Sequence, residues 1–214
     1  MFKIGSLIAA YLLGSIPSSV WIGKYFYGID VREYGSGNAG ATNTFRVLGK
    51  KAGIPVLIID VLKGWLSVNI AYLSNYKPGS ESFVNFELVL GIAALIGHIF
   101  PIYVGFRGGK GIATLLGILL ALHIQAALVS MSVFLIVLLL FNYVSLGSMI
   151  AALLFPLSMI FVFKTTIPSL IIFSIAVAVL VILTHQKNII RLIKKEESKI
   201  NLFGKKKKNE ENNK

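Results

Sequence analysis

The chain has 214 residues, of which 56% are hydrophobic and only 14% are charged, and its mean hydropathy is +0.79. Soluble proteins carry about 25% charged residues, so this composition excludes a soluble globular domain and indicates a small polytopic membrane protein. The formal net charge is +12, and because the basic residues lie beside long apolar runs, we expect contact with membrane lipid and not with nucleic acid.

The apolar segments predict an all-α fold with about seven transmembrane helices, since a helix needs roughly 20 residues to cross a hydrocarbon core of about 30 Å. In chain order, the predicted spans are 4–23, 54–73, 88–104, 112–122, 124–141, 149–163 and 167–184. The apolar stretch 112–141 is too long for one span, and His123 and Gln125 interrupt it, so it divides into two short helices.

The distribution of lysine and arginine predicts the orientation of these spans. Of the 21 basic residues, 17 fall on one side of the membrane and three on the other, and Lys63 lies within a span. The positive-inside rule then places the N-terminus outside and the C-terminus in the cytoplasm. We divide the chain into a transmembrane domain, 1–193, and a basic cytoplasmic tail, 194–214, whose composition is typical of a partly disordered extension.

In this topology, the polar segments that are rich in glycine or hydroxyl groups all reach the cytoplasmic side. These segments are 33–46, 105–114, 142–148 and 184–191. Four such segments on one face predict a functional site there.

The first of these segments contains GSGNAG at 35–40, which matches the dinucleotide-binding pattern G-x-G-x-x-G. That pattern needs a strand before it, whereas here membrane helices flank the segment, so we reject the dinucleotide reading. Closely spaced glycines still let backbone N–H groups approach an anion, which favours a phosphate site over an ordinary flexible loop. The candidate phosphate ligands of this segment are Ser36, Gly37, Asn38, Gly40, Thr42, Asn43 and Arg46.

The second segment, FRGGKGIAT at 106–114, places three glycines and two cations at the start of a helix. A helix N-terminus with free N–H groups binds anions, although the spacing is not that of a Walker A motif. Gly108, Gly109 and Lys110 are the candidate ligands, and the alternative is a plain glycine turn. Two such segments on one face predict substrates that carry more than one phosphate.

Charged and histidine side chains within the spans are further candidates. Asp60 and Lys63 lie in mid-span at a spacing that permits a mutual ion pair, and direct contact of Lys63 with substrate is the alternative. His98 precedes the second glycine segment, and His185 ends the last span one turn before Asn188. We favour functional roles for His98, His185 and Asn188 over packing roles.

Taken together, these segments resemble the bacterial acyl-phosphate-dependent glycerol-3-phosphate acyltransferase family of the inner membrane. The resemblance rests on six segments: GSGNAGATN at 35–43, DVLKG at 60–64, GHIFP at 97–101, 106–114, YVSLGS at 143–148 and HQKNIIR at 185–191. It covers about residues 5–200 and departs from the usual family pattern at Asn142, Gln186 and Lys195.

The resemblance implies transfer of an acyl group from acyl phosphate to sn-glycerol 3-phosphate, giving 1-acyl-sn-glycerol 3-phosphate and phosphate, the first step of phospholipid synthesis. It implies no cofactor and no metal, and the absence of cysteine already excludes thiolate metal sites and a cysteine nucleophile. An enzyme that produces acyl phosphate is a further expected partner. The implied catalytic residues are Ser36, Lys110, His185 and Ser145.

A transporter of an organic phosphate is the alternative function. Transporters commonly contain paired, inverted halves with matching broken helices. The halves 1–104 and 105–214 share no such pattern of polar motifs, which favours the acyltransferase.

Overall fold

The computed structural model describes residues 1–200, which form helices joined by turns. The α-helices are α1 (Phe2–Gly14), α2 (Ser18–Tyr27), α3 (Ala41–Leu48), α4 (Lys50–Asn69), α5 (Glu81–Ile99), α6 (Ile112–Leu122), α7 (Ile124–Phe141), α8 (Val144–Leu157), α9 (Pro168–Thr184) and α10 (Gln186–Ile193). Shorter helical turns are Val31–Glu33, Ile70–Leu73, Ile102–Val104 and Ser158–Val162.

Several of these helices are long and apolar enough to cross a membrane. Four continuous segments qualify: Lys50–Leu73, Glu81–Val104, Ile124–Phe141 and Val144–Val162. The pairs α1–α2 and α9–α10, bent by 43° and 58°, raise the number of candidate spans to six, and α6 is apolar but shorter. Residues 1–200 are therefore all-helical with four to six candidate spans. The predicted span 4–23 is divided between α1 and α2, and each of the other predicted segments lies mainly in one helix, in some cases with the short helical turn that follows it.

The predicted division of the apolar stretch 112–141 is confirmed, because α6 ends at Leu122 and α7 begins at Ile124. His123 stands between them, and its Nδ1 accepts a hydrogen bond from the backbone N–H of Ala126 at 3.3 Å. The imidazole thus caps the first turn of α7. Its ring also packs against Phe163, with the centroids 4.7 Å apart.

Helix α5 begins earlier than its predicted span at Leu88. It starts at Glu81, where the hydroxyl of Ser80 accepts from the N–H of Phe83 at 3.3 Å. Glu81 and Glu87 lower the local hydropathy, but a helix continues to its cap whether or not its first turns are apolar. Hydropathy therefore marked only the apolar part of this helix.

Helices α1 and α2 are separated by Pro17, which lacks the N–H that a continuous helix would need. The break frees the carbonyl of Ile16, which accepts from Lys63 Nζ on α4 at 2.7 Å. Lys63 is only 3% exposed, so the break supplies a polar partner for a charge held inside the bundle. The break between α1 and α2 thereby stabilises a buried charge on α4.

Two helix pairs pack with their backbones in contact. A Cβ added at Gly64 of α4 would lie 2.1 Å from the carbonyl oxygen of Thr114 on α6, and one at Gly117 would lie 1.9 Å from that of Val61. Between α1 and α5, a Cβ at Gly97 would lie 2.3 Å from the carbonyl oxygen of Tyr11. Small residues at such contacts are typical of membrane helix pairs, whose association depends on close packing.

Apolar side chains fill the interior and also cover the outside of the bundle. Phe155 and Ile118 are buried in the main core, which lies between α5, α6, α8 and α9. Leu139 and Ile172, in contrast, are 56% and 67% exposed on outward faces. An apolar outer surface suits a lipid environment.

We predict that Gly64→Ala destabilises the protein, because the new methyl group would collide with a backbone carbonyl that no rotamer change can move. Overpacking of this kind costs about 1–3 kcal/mol of unfolding free energy. The unfolding midpoint in detergent measures the effect. Gly5→Ala is the matched control, since a Cβ there has nothing within 4 Å; equal midpoints for the two variants would contradict the predicted helix contact.

Candidate active site

The first glycine loop, residues 33–40, is held in shape by Asn43 of α3. The Asn43 Oδ1 accepts from the backbone N–H and the hydroxyl of Ser36 at 2.9 and 3.1 Å, while Nδ2 donates to the carbonyls of Val31 and Tyr34. Asn43 is only 2% exposed, and both polar atoms of its amide are occupied by the loop itself. We predicted Asn43 as a phosphate ligand, whereas the structure places its side chain behind the loop.

The second glycine loop, residues 105–111, returns along the end of α5. The N–H groups of Gly108 and Gly109 donate to the carbonyls of Ile99 and His98 at 3.1 and 3.2 Å. A Cβ added at Gly108 would lie 2.0 Å from the carbonyl oxygen of His98, so this path requires glycine. The loop then leads through Lys110 into the first turn of α6.

The two glycine loops are in direct contact. A Cβ added at Gly109 would lie 2.8 Å from the carbonyl oxygen of Ala39 and 2.4 Å from Nε2 of His98. The second loop thus passes between the first loop and the His98 ring with no room for a side chain. The expectation that both glycine segments meet at one end of the bundle is confirmed.

A buried polar network lies beneath this contact. Asp60 Oδ1 lies 3.0 Å from Lys63 Nζ and accepts from the hydroxyl of Ser18 at 2.8 Å. His98 Nδ1 lies 2.9 Å from the hydroxyl of Thr114 and 3.8 Å from Asp60 Oδ1. The ion pair, one of two alternatives for Lys63, is therefore present, and both Lys63 and His98 lie behind the loops.

Four polar side chains form the opposite wall of the site. Lys110 Nζ contacts Oδ1 of Asn188, whose Nδ2 donates to Oε1 of Glu197 at 2.7 Å. The hydroxyl of Ser145 donates to the same Glu197 oxygen at 3.0 Å. The second glycine loop, α8, α10 and the segment after α10 each contribute one of these side chains.

Glu197 was not among the predicted site residues, because we assigned it to the solvated tail beginning at Lys194. In the structure, residues 194–200 instead fold back over the bundle, with Lys195 at a φ of +59° and Ile200 N–H donating to the carbonyl of Asn142 at 2.9 Å. The Glu197 side chain is 5% exposed and accepts from Arg191 Nε at 2.9 Å. The remainder of the tail, including the lysine run 205–208, lies outside the described residues.

The electrostatic surroundings of Lys110 alter its acidity. Partial burial lowers the pKa of its ammonium group to about 8, and the positive charges of Arg191 and Arg46 act in the same direction. The Glu197 carboxylate opposes this change and raises the pKa. Lys110 and Arg46, predicted on separate segments, therefore lie within electrostatic reach of each other.

His185 is 4% exposed, and its ring orientation is fixed by its own helix. Its Nδ1 lies 2.8 Å from the carbonyl oxygen of Val181. Because a carbonyl only accepts, Nδ1 carries the hydrogen, and Nε2 of the neutral ring is left as an acceptor. This arrangement suits a residue that takes a proton or orients a hydroxyl group.

The other predicted residues differ in exposure. Ser36, Gly37, Thr42 and Arg46 are exposed, and Asn38, Gly40, Gly108, Gly109 and Lys110 are half-buried. Asn142, which we did not assign as a ligand, ends α7 at a φ of +61°, a conformation that asparagine tolerates. Among residues 1–200, no group of three His, Asp or Glu side chains is placed to hold a metal ion.

The fold and the site define a polytopic helical membrane protein whose two glycine loops meet. Residues 4–195 match the glycerol-3-phosphate acyltransferase family, to which this chain therefore belongs. Two curated relatives of that name come from Prochlorococcus marinus, 48% identical, and Enterococcus faecalis, 44% identical. The alignments cover 91% and 92% of this chain, and 96% and 91% of those proteins.

Solved structures of a relative share the fold. One is PlsY (YgiH), an integral membrane glycerol 3-phosphate acyltransferase, in its glycerol 3-phosphate form. It is 38% identical with a TM-score of 0.83, and the match covers 92% of this chain and 95% of that one. The lysophosphatidic acid form of PlsY has a TM-score of 0.79 at 36% identity.

We predict that Lys63→Met is strongly destabilising, because it leaves the Asp60 carboxylate buried without its cation. Breaking a buried ion pair by removing one partner costs about 3–5 kcal/mol. Unfolding in detergent measures the loss. The double variant Asp60→Asn/Lys63→Met removes both charges and should recover part of the stability; a single variant as stable as wild type would contradict the structural role of the pair.

Proposed function

We propose that this protein transfers an acyl group from acyl phosphate to sn-glycerol 3-phosphate, which yields 1-acyl-sn-glycerol 3-phosphate and phosphate. The observation that carries the proposal is the contact between the two glycine loops at Gly109 and Ala39. Both substrates carry phosphate, and each loop leads into the N-terminus of a helix, α3 or α6, whose first-turn N–H groups have no acceptor within the helix and can bind an anion. Joined loops can hold two phosphorylated molecules close enough for a group to pass between them.

Residues of the two loops would bind the phosphates. We assign this role to Ser36, Gly37, Asn38, Gly40, Thr42, Gly108, Gly109 and Lys110. Asn43 and His98 act through the loops that they support, and Lys63 acts through the Asp60 network. This division follows from burial, since Asn43, His98 and Lys63 are at most 5% exposed, whereas the residues assigned to the phosphates are half-buried or exposed.

The glycerol 3-phosphate molecule would be oriented by Arg46, His185 and Asn188. An arginine fork suits a phosphate, and Asn188 already contacts Lys110. Ser145, whose hydroxyl donates to Glu197, would rotate to donate to the developing oxyanion.

The donor is a mixed anhydride, which is already activated, so no covalent enzyme intermediate is required. The glycerol hydroxyl oxygen attacks the acyl carbon, a new ester C–O bond forms, and the bond from the acyl carbon to the phosphate oxygen breaks. The hydroxyl proton passes to Nε2 of His185 or to the leaving phosphate. Positioning and electrostatic preorganisation would supply most of the acceleration.

We place the protein in the cell inner membrane, with the site facing the cytoplasm. Counting the shorter helix α6 together with the six candidate spans gives seven spans. Support comes from the 17 basic residues assigned to the cytoplasmic side. The N-terminus is then outside and the C-terminus inside. Glycerol 3-phosphate would arrive from the cytoplasm and the acyl donor from the bilayer, supplied by an enzyme that produces acyl phosphate.

The purified protein in detergent, mixed with acyl phosphate and glycerol 3-phosphate, tests the proposal. The expected result is equimolar formation of lysophosphatidate and inorganic phosphate. A parallel reaction with acyl-CoA tests the donor. Turnover with acyl-CoA but not with acyl phosphate would overturn the donor assignment, and no turnover with either would overturn the proposed function.

We predict that Lys110→Ala lowers kcat/KM by on the order of 10²–10³, because it removes a charge aimed at phosphate. In the wild type, kcat/KM for glycerol 3-phosphate should decline as the pH rises through about 8, where the Lys110 ammonium loses its proton. Lys110→Arg keeps the charge and should lose this alkaline decline.

Lys187→Ala, which removes an exposed cation of α10, is the matched control and should retain wild-type activity. Near-normal turnover by a folded Lys110→Ala variant would contradict the assignment.

We predict that His185→Gln lowers kcat by on the order of 10²–10⁴, because Nε2 is the unprotonated ring nitrogen and is available to accept the hydroxyl proton. The measurement is kcat from pH 6 to 8 at saturating substrates. Full kcat over that range would show that the leaving phosphate takes the proton instead.

A further inference from the structure

Asp30 and Arg32 form a charged pair next to the site that the predicted ligand set does not include. The Asp30 carboxylate accepts from Nε and Nη2 of Arg32 at 2.9 and 2.7 Å, and from its backbone N–H at 3.0 Å. Two parallel charge-assisted bonds fix the guanidinium plane. The Asp30 pKa is lowered, chiefly by the hydrogen bond from Arg32, which keeps the carboxylate ionised at neutral pH.

The other edge of the guanidinium reaches the second glycine loop. Arg32 Nη1 donates to the carbonyls of Val104 and Arg107 at 2.9 and 3.2 Å, which flank the Gly105–Phe106 turn. Both glycine and phenylalanine in this turn have a positive φ. The bonds from Arg32 therefore close a turn whose backbone conformation is unfavourable for one of its residues.

The backbone of Arg32 belongs to the frame of the first loop. The carbonyl of the neighbouring Val31 accepts a hydrogen bond from Nδ2 of Asn43, the residue that holds the first loop in shape. A Cβ added at Gly37 would lie 3.5 Å from the carbonyl oxygen of Arg32. Arg32 thus directly precedes the first loop in the chain, and its side chain bonds to Arg107 in the second loop and to the adjoining Val104.

The arginine is also held away from solvent. Its side chain is 15% exposed and that of Asp30 is 9% exposed, whereas Lys24, which contacts Asp30 at 3.3 Å, is 57% exposed. Partly buried charge-assisted bonds are stronger than exposed ones. Lys24 makes no hydrogen bond to the second loop. A substitution of Lys24 therefore changes the charge near Asp30 and leaves the bonds from Arg32 to the second loop in place.

We propose that Arg32, oriented by Asp30, is a positioning residue that sets the separation of the two glycine loops and thereby the affinity for the phosphorylated substrates. This inference rests on the proposed function. Arg32 touches the loop backbone and not the reacting atoms, so its loss should weaken substrate binding more than it slows the chemical step. The guanidinium binds Asp30 through Nε and Nη2 and still donates to the carbonyls of Val104 and Arg107 through Nη1, and the ammonium group of lysine lacks this planar geometry.

Steady-state kinetics of Arg32→Ala, Arg32→Lys, Asp30→Asn and the control Lys24→Gln test the proposal. We expect Arg32→Ala to raise KM for glycerol 3-phosphate by on the order of tenfold, with a smaller change in kcat. Arg32→Lys should recover part of this loss, Asp30→Asn should change KM in the same direction, and Lys24→Gln should match the wild type.

Limited trypsin digestion reports on the loop without any turnover. Arg107 is exposed, and cleavage after it requires the loop to open. Arg32→Ala should be cleaved there several times faster than wild type or Lys24→Gln, while thermal midpoints in detergent show that the fold persists.

If Arg32→Ala has the wild-type KM for glycerol 3-phosphate and is cleaved after Arg107 at the wild-type rate, the proposed positioning role of Arg32 is overturned. Equal and complete inactivity of Arg32→Ala and Arg32→Lys, with lowered midpoints, would also overturn it, since that pattern marks a general structural role. If the wild type makes no lysophosphatidate, the proposed function fails while the digestion still tests the contact between the loops.

Discussion

The Asp60–Lys63 ion pair constrains the rest of this structure. Two charges in the middle of α4 cannot face lipid, since each costs several kcal/mol at the bilayer centre. The protein surrounds them with the broken end of α1, the start of α2, the end of α5 and the first turn of α6. Of these elements, α2 precedes the first glycine loop, and α5 and α6 lie on either side of the second, so isolating the charges from lipid also brings together the helices that carry the loops.

The site rests on a rigid support of packed helices. Beneath the loops, His98 and Thr114 join α5 to α6, and the close approach of Gly64 to Thr114 joins α6 to α4. The loop atoms above therefore lie on a closely packed base. Such preorganisation suits the proposed direct transfer, in which the protein contributes geometry and charge.

The sequence was sufficient for features governed by local composition. The break at His123 follows from hydropathy, and the placement of the glycine segments on one face follows from the distribution of lysine and arginine. The spacing of Asp60 and Lys63 permitted their ion pair but left contact with substrate as an alternative. The roles of Asn43 and His98 could not be read in this way, because burial behind a loop depends on the path of the loop. Glu197 was missed because it is one of two adjacent glutamates within a lysine-rich segment, which composition assigns to solvent. An acidic residue shortly after a helix rich in cations was the only available signal.

Arg32 was missed for a related reason. It looked like one more positive-inside residue, and only the folded chain shows that its guanidinium reaches backbone carbonyls 72 and 75 positions away. The spacing Asp30-x-Arg32 is compatible with a local pair, but it contains no information about the second loop. Long-range contacts to backbone atoms leave no residue pattern at their far end.

The position of Glu197 after α10 has a consequence for biogenesis. Its carboxylate joins Ser145, Asn188 and Arg191, which belong to α8 and α10. During synthesis these partners leave the ribosome first, and the bundle can insert helix by helix before Glu197 is available. The hydrogen bonds from Ser145, Asn188 and Arg191 to Glu197 therefore form only after the last span is inserted. A partly inserted chain lacks them.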